Sequence, residues 1–212
     1  MNILVFFSTR STRKILIGSL LALAVAPALA EGDQPIEALQ KGVEKGLQIL
    51  KDPEFIPAHR KAAQQQKLRI LLEQLFDFRE FSRRVLATYW KDFSVSQREA
   101  FVRIFAEFLG KFYMGQLQDK YRDETLIYAG QELITPTRAL VNVQVVWKGQ
   151  KIPVDLRMIK SKGLWKVYDI EFLGISAVRN YRAQFKSLLR RETPAQVIER
   201  LKEKTEQLEK MD

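Results

Sequence analysis

The chain of 212 residues has no cysteine and a single histidine, His59. These absences exclude a thiol nucleophile, a disulfide framework and a Cys/His zinc site. A hydrolytic triad would have to use His59, and nothing around it resembles a nucleophile elbow. No metal and no cofactor is expected. There is no Lys/Arg-rich block and no nucleic-acid motif, so nucleic acid is not an expected partner. Internal repeats and low-complexity linkers are missing as well. What remains is a chain with 46% hydrophobic residues and 28% charged ones, enough for a folded core.

Charge is unbalanced: 35 Lys and Arg face 25 Asp and Glu, for a net +10. Arg10, Arg13 and Lys14 form a positive flank, Ile15–Ala26 is an apolar run of about 12 residues, and Ala28-Leu29-Ala30 is a small-x-small cleavage site. A membrane-spanning helix needs roughly 20 apolar residues, so residues 1–30 are expected to be a cleaved secretory signal, with 31–212 as the mature domain. Apolar Ile3–Phe7 precedes the flank and leaves the true start codon open. Removing 1–30 takes three basic residues and no acid, leaving 32 against 25, a net +7. No Cys follows the signal, so lipid anchoring there is excluded. The mature protein is expected outside the cytoplasm, able to meet anionic lipid or an acidic partner.

Helical periods come first. Pro35 opens a helix with Ile36, Leu39, Val43, Leu47 and Leu50 on one face, ended by Lys51-Asp52-Pro53. Pro57 starts a second, carrying Leu68, Leu71, Leu72, Leu75 and Phe76, with Gln64-Gln65-Gln66 expected on an exposed turn. Capping boxes are expected at Asp77–Glu80, Ser96–Glu99 and Thr193–Gln196. The helix after the second is strongly aromatic: Phe101, Phe105, Phe108, Phe112 and Tyr113 share a broad face with Ile104, Leu109 and Leu117. Such a stripe suits either ordinary core or a cavity wall.

From Thr125 the period becomes two. An edge strand (125–134), then Val141-x-Val143-x-Val145-x-Trp147, then Ile152-x-Val154-x-Leu156-x-Met158, then 164–172 make an antiparallel meander with turns at Lys148-Gly149-Gln150 and Ser161-Lys162-Gly163. Pro153 inside its strand indicates an edge position or a bulge. From about Ile175 helical spacing returns (Val178, Tyr181, Phe185, Leu188, Leu189), and a terminal helix carries Val197, Ile198, Leu201 and Leu208. The order is α+β, with helical parts at about 31–122 and 175–212 and a sheet part at about 123–174. A curved antiparallel sheet with helices covering one face would leave an apolar cavity between them wherever bulky side chains do not fill it.

Tyr168-Asp169, Gly174-Ile175-Ser176 and Asn180-Tyr181-Arg182-Ala183-Gln184-Phe185 resemble the signature of the MlaC/toluene-tolerance family. Phe76-Asp77-Phe78, Tyr89-Trp90, Ser94–Leu117 and Trp165–Asp169 extend the resemblance over essentially the whole mature chain. The family are periplasmic lipid carriers of the pathway that maintains outer-membrane lipid asymmetry. The resemblance implies a sheet similar to nuclear transport factor 2 joined to a helical subdomain, and a deep cavity that takes phospholipid acyl chains. It implies no covalent chemistry. The implied partners are phospholipid, an outer-membrane lipoprotein–porin complex and an inner-membrane ABC transporter with a periplasmic lipid-binding subunit. Related members in hopanoid gene clusters leave the cargo open, and the number of acyl chains, the direction of transport and the oligomeric state are open too.

Candidates for the cavity lining are Val85, Tyr89, Phe101, Phe105, Phe108, Val141, Val143, Val145, Val154, Leu156, Trp165 and Val167. Each fits plain core equally well, and alternation does not say which strand face points inward. Asp169, in the last strand on the same side as Trp165 and Val167, would need a buried partner, with Arg182 or Tyr181 as the candidates. Ser176 is a candidate helix cap. Gly174 would turn the chain, Asn180, Tyr181 and Arg182 would lock helix to sheet, and Phe185 completes the structural motif. Arg182 could instead touch a phosphate at the cavity mouth. Two other classes fit the composition: a periplasmic chaperone for outer-membrane proteins, which would ignore phospholipid, and an enzyme with an acid/base pair in a cone-shaped pocket, for which Asp169 would be essential.

Overall fold

The described residues, in a computed structural model, are 34–120 and 125–209, with the backbone alone for 114–120 and 209. The expected signal segment and Leu117's side chain lie outside them. The elements are α1 (Pro35–Lys51), α2 (Lys61–Leu75), α3 (Phe78–Leu86), α4 (Val95–Lys120), β1 (Thr125–Thr135), β2 (Arg138–Trp147), β3 (Gln150–Ser161), β4 (Leu164–Phe172), β5 (Ile175–Ser176), α5 (Ala177–Leu189) and α6 (Pro194–Glu209). The strands form one antiparallel sheet in the order β1-β2-β3-β4-β5. Among the described residues no helix is long and apolar enough to cross a membrane.

Two apolar cores divide the molecule. One is all-helical: Phe81, Val85, Phe93, Phe101, Phe105, Val178, Phe185, Val197 and Leu201 interlock α3, α4, α5 and α6. The other lies between α1 and the sheet and holds Leu39, Val141, Val143, Leu156, Met158, Trp165 and Val167. The inner sheet face therefore carries the odd positions of β2 and the even positions of β3. The segment between α2 and α3 joins the two cores. Phe76 forms a parallel bridge to Val167, the Asp77 N–H donates to the Val167 carbonyl at 2.8 Å, and Phe78 stacks on Phe76 at 5.6 Å.

Bulges at Ala129 and Tyr168 break the register of β1 with β2 and of β3 with β4. Each adds a residue to one strand and increases local twist. The second has a consequence that simple alternation misses. Met158 pairs with Val167 but Arg157 pairs with Asp169, so Tyr168 is the extra residue. Beyond it, Ile170 returns to the inner face opposite Leu156, while Asp169 and Glu171 take the outer face with Arg157 and Asp155. Asp169 is thus not on the side of Val167.

Local signals resolve in instructive ways. Thr193 and Gln196 form the expected reciprocal box at the start of α6. The box of α4 lies two residues earlier than expected. Ser94 accepts from Gln97 N–H at 3.2 Å and the Gln97 side chain accepts from Ser94 N–H at 2.9 Å, because Phe93, fully buried against Phe101, sets where the helix enters. Asp77 caps α3 through Glu80 N–H, but Glu80 does not reach back: its carboxylate binds Arg83 and Arg84, and Asp77's own N–H belongs to the sheet. Gln64 is not on a turn. It is buried in α2 and donates to the carbonyls of Ile49 and Leu50, satisfying the last turn of α1. Pro153 sits where β3 extends past the end of β4, so it is locally an edge residue.

Candidate functional site

Between α1, α2 and the inner sheet face lies a cavity of about 810 Å³, near the upper end of the range for ligand pockets. Helix α1 supplies Leu39, Val43, Leu47 and Leu50, with Gly42 and Gly46 between them; α2 supplies Leu68, Leu71, Leu72 and Leu75. The sheet supplies Leu126, Val145, Ile152, Leu156, Val167 and Ile170, and Phe76 closes one side. The two glycines make one face of α1 thin. A Cβ at Gly42 would overlap the Leu75 side chain, so α1 and α2 pack this closely only because no side chain intervenes.

Exposure locates the two ends. Val167 (1%), Leu68 (3%) and Leu39 (4%) are at the closed base, while Trp147, Phe172 and Tyr113 are nearly half exposed and form the mouth. Trp147 ends β2 and Phe172 ends β4; Tyr113 comes from α4. Of the lining side chains only those of Tyr113 and Trp147 carry a polar atom. Tyr113 shares a hydrogen bond with Tyr181 at 3.3 Å between hydroxyl oxygens. Burial pushes the Tyr181 phenol well up from its ordinary value, and the Tyr113 hydrogen bond and charge push it the same way. The Tyr181 hydroxyl therefore stays a neutral donor or acceptor at ordinary pH.

Of the expected lining residues, Val145, Leu156 and Val167 border the cavity. The aromatic wall does not. Val85, Phe101 and Phe105 are buried in the helical core with Phe108 packed against it, and Tyr89 sits in the turn after α3. Helix α4 turns its Phe101–Phe108 stripe toward α5 and α6 and reaches the cavity only with Tyr113. Val141, Val143 and Trp165 fill the space beneath α1, with Val154 against them. Most of the lining instead comes from α1 and α2. The thin Gly42/Gly46 face beside the broad leucine face of α2 was the signal available in the sequence.

The signature residues form a joint away from the cavity. Asp169 is buried, accepts from the Ser176 hydroxyl at 2.7 Å and from Val178 N–H at 3.0 Å, and lies 4.0 Å from Arg157. Ser176 in turn accepts from Arg179 N–H. Together the two side chains satisfy the start of α5, and the carboxylate sits at the positive end of the helix dipole. The expected partners of Asp169, Arg182 and Tyr181, are elsewhere: Arg182 donates to the Arg84 carbonyl at 2.9 Å and Tyr181 packs on Phe81 and Phe105. Arg182 is thereby held in the α3–α5 joint. Arg84 lies over the Tyr168 ring at 4.1 Å and pairs with Glu80, tying the bulge to α3. Phe185 packs on Phe101 and Phe105, and Asn180 is exposed beside Gln184. Gly174 turns the chain, but into the short strand β5, not directly into the helix.

This arrangement defines an α+β domain built around an apolar cavity with an aromatic mouth. The chain belongs to the MlaC family: the family model described as MlaC protein matches residues 40–203. The fold is also that of a phospholipid-binding protein from Ralstonia solanacearum, solved in complex with a phospholipid. The two share 24% identity over 83% of this chain and 99% of that one, with a TM-score of 0.71.

Proposed function

We propose that this protein is a periplasmic phospholipid carrier that holds acyl chains in the α1/α2/sheet cavity and does no covalent chemistry. The observation that carries the reading is the cavity itself: about 810 Å³ with an almost wholly apolar lining, closed at one end and open at the other. Two acyl chains of about 30 methylenes are worth ~24 kcal/mol on leaving water. The bilayer offers the same term, so a carrier has only to match it, and shape and dryness matter more than headgroup contacts. Family membership and the phospholipid bound to the Ralstonia protein support this cargo. The buried acid an enzyme reading would need, Asp169, faces the outer side of the sheet and is engaged by Ser176 and Val178.

In this reading residues 1–30 are the cleaved export signal, 31–212 the carrier, and the exchange partners an outer-membrane lipoprotein–porin complex and an inner-membrane ABC transporter. Native mass spectrometry of the exported protein tests the cargo. Stoichiometric phospholipid is expected. Protein that purifies empty and cannot extract labelled phospholipid would overturn the reading.

A further inference from the structure

We propose that the mouth end of the sheet is a docking face for the surface of a bilayer containing anionic phospholipid. The inference rests on the carrier reading and adds to it the surface that meets the membrane. In the meander, the Lys148-Gly149 and Leu173-Gly174 turns lie at one end of the sheet, which is also the cavity mouth, and Lys162-Gly163 lies at the other. All three are two-residue hairpin turns with positive φ at both positions (49° and 76°, 49° and 77°, 50° and 83°). Such turns favour Asn, Asp or Gly at the first position, because a larger side chain strains the left-handed backbone. Two of the turns place lysine there, which at least suits water. The third places Leu173, 60% exposed, between Phe172 (48%) and Ile175 (65%). A polar Asn would serve this turn better both sterically and in contact with water. Leucine at that position is accounted for by a surface that takes up apolar side chains.

The rest of the mouth matches a membrane interface. Trp147 and Tyr113, the residue types that settle at headgroup depth, rim the opening. Lys148 lies over the Trp147 ring at 4.7 Å, and Lys151 follows on the same hairpin. Both are exposed, and neither is in an ion pair among the described residues. Arg179, also exposed, donates to the Gly174 carbonyl beneath the leucine turn and pairs with Glu171 at 3.6 Å, so the cationic charge of the patch rests on Lys148 and Lys151. Apolar tips set among cations form the pattern that binds anionic bilayers. Phe172 belongs both to this patch and to the cavity wall, so a docked carrier would present its opening directly to the lipid.

The test is sedimentation of the exported protein with vesicles of phosphatidylcholine, alone or mixed with phosphatidylglycerol. Wild type is expected to bind the mixed vesicles, and less so at high salt. Leu173→Asn should weaken binding by about tenfold or more while raising the melting temperature, and the double variant Lys148→Glu with Lys151→Glu should weaken it more than tenfold. None of the three residues lines the cavity, so labelled phospholipid delivered from detergent micelles should load all variants equally. Wild type that ignores mixed vesicles, or a Leu173→Asn protein that binds them like wild type or melts at a lower temperature, overturns the docking face. Failure of micelle loading in every form overturns the carrier reading instead.

Discussion

Asp169 in β4 and Tyr181 in α5 belong to the same joint, and each makes a prediction that separates structure from chemistry. The Asp169 carboxylate is the only described acceptor for the Ser176 hydroxyl and the Val178 N–H, at the positive end of α5. Removing it leaves both donors buried and unsatisfied. Asp169→Ala should therefore cost about 3 kcal/mol in urea unfolding, while phospholipid bound per folded molecule stays unchanged; a catalytic acid would give the reverse. Tyr181 predicts an alkaline weakness. Its folded pKa lies above the unfolded value of 10.0, first through burial and then through Tyr113. The folded state therefore holds its proton more tightly, and that stability is complete below about pH 10 and lost as pH rises beyond it. Melting temperatures followed through alkaline pH should fall less steeply in Tyr181→Phe than in wild type. Glu80 behaves in the opposite sense: burial pushes its carboxyl up, but hydrogen bonds and charge from Arg83 and Arg84 outweigh this and hold it below 4.5.

At the scale of elements, α4 shows what periodicity does and does not carry. Its aromatic spacing correctly marks a buried face, because a 3.6-residue repeat of large apolar groups has to leave water. The repeat says nothing of what covers that face. In the fold Phe101 is fully buried and meets Phe93, Phe105 and Phe185 at ring-centroid distances of 5.1–5.7 Å. Phe101→Ala should accordingly lower stability by about 3–5 kcal/mol and leave lipid stoichiometry unchanged below the melting temperature. A cavity-wall residue would instead change capacity with little loss of stability. Helix α1 is the converse case. Its apolar face was legible in the sequence, though Gly42 and Gly46 were not singled out there, and only its position over the sheet makes that face the wall of a cavity. Its N-terminus is placed there by Gln131 of β1, which accepts from Ile36 N–H at 2.8 Å and donates to the Gln34 side chain at 2.7 Å.

For the molecule as a whole, the cavity is a volume that two separate cores leave unfilled. The helical core locks α3–α6 together, the second core pins α1 to the sheet, and the gap between α1, α2 and β2–β4 remains. Filling that gap should abolish carriage without harming the fold. Gly46 faces it, and the nearest atom to a Cβ added there is Leu71 Cδ2 at 3.5 Å, ordinary contact. Gly46→Trp should project into the void and reduce co-purifying phospholipid at least about tenfold, as expected if bound acyl surface is displaced. Since glycine is among the poorest helix formers, the melting temperature should hold or rise.

The sequence alone determined the long helices and the four long strands, their order and the α+β class, together with the Ser176 and Thr193 caps, but not the short strand β5. These depend on residues within a few positions of one another, where backbone geometry and side-chain period leave a local trace. Tertiary structure decided which apolar residues became core and which became cavity, and on which side of the sheet Asp169 would lie. Leu156 and Val143 have the same alternating signature, yet one borders the void and the other is packed beneath α1. The extra residue at Tyr168 exists only in the pairing of β4 with β3, and it reverses the face of every residue after it. Packing and register are relations between distant segments: strand pairing put Asp169 under α5, and the placement of α1 over the sheet left the cavity open.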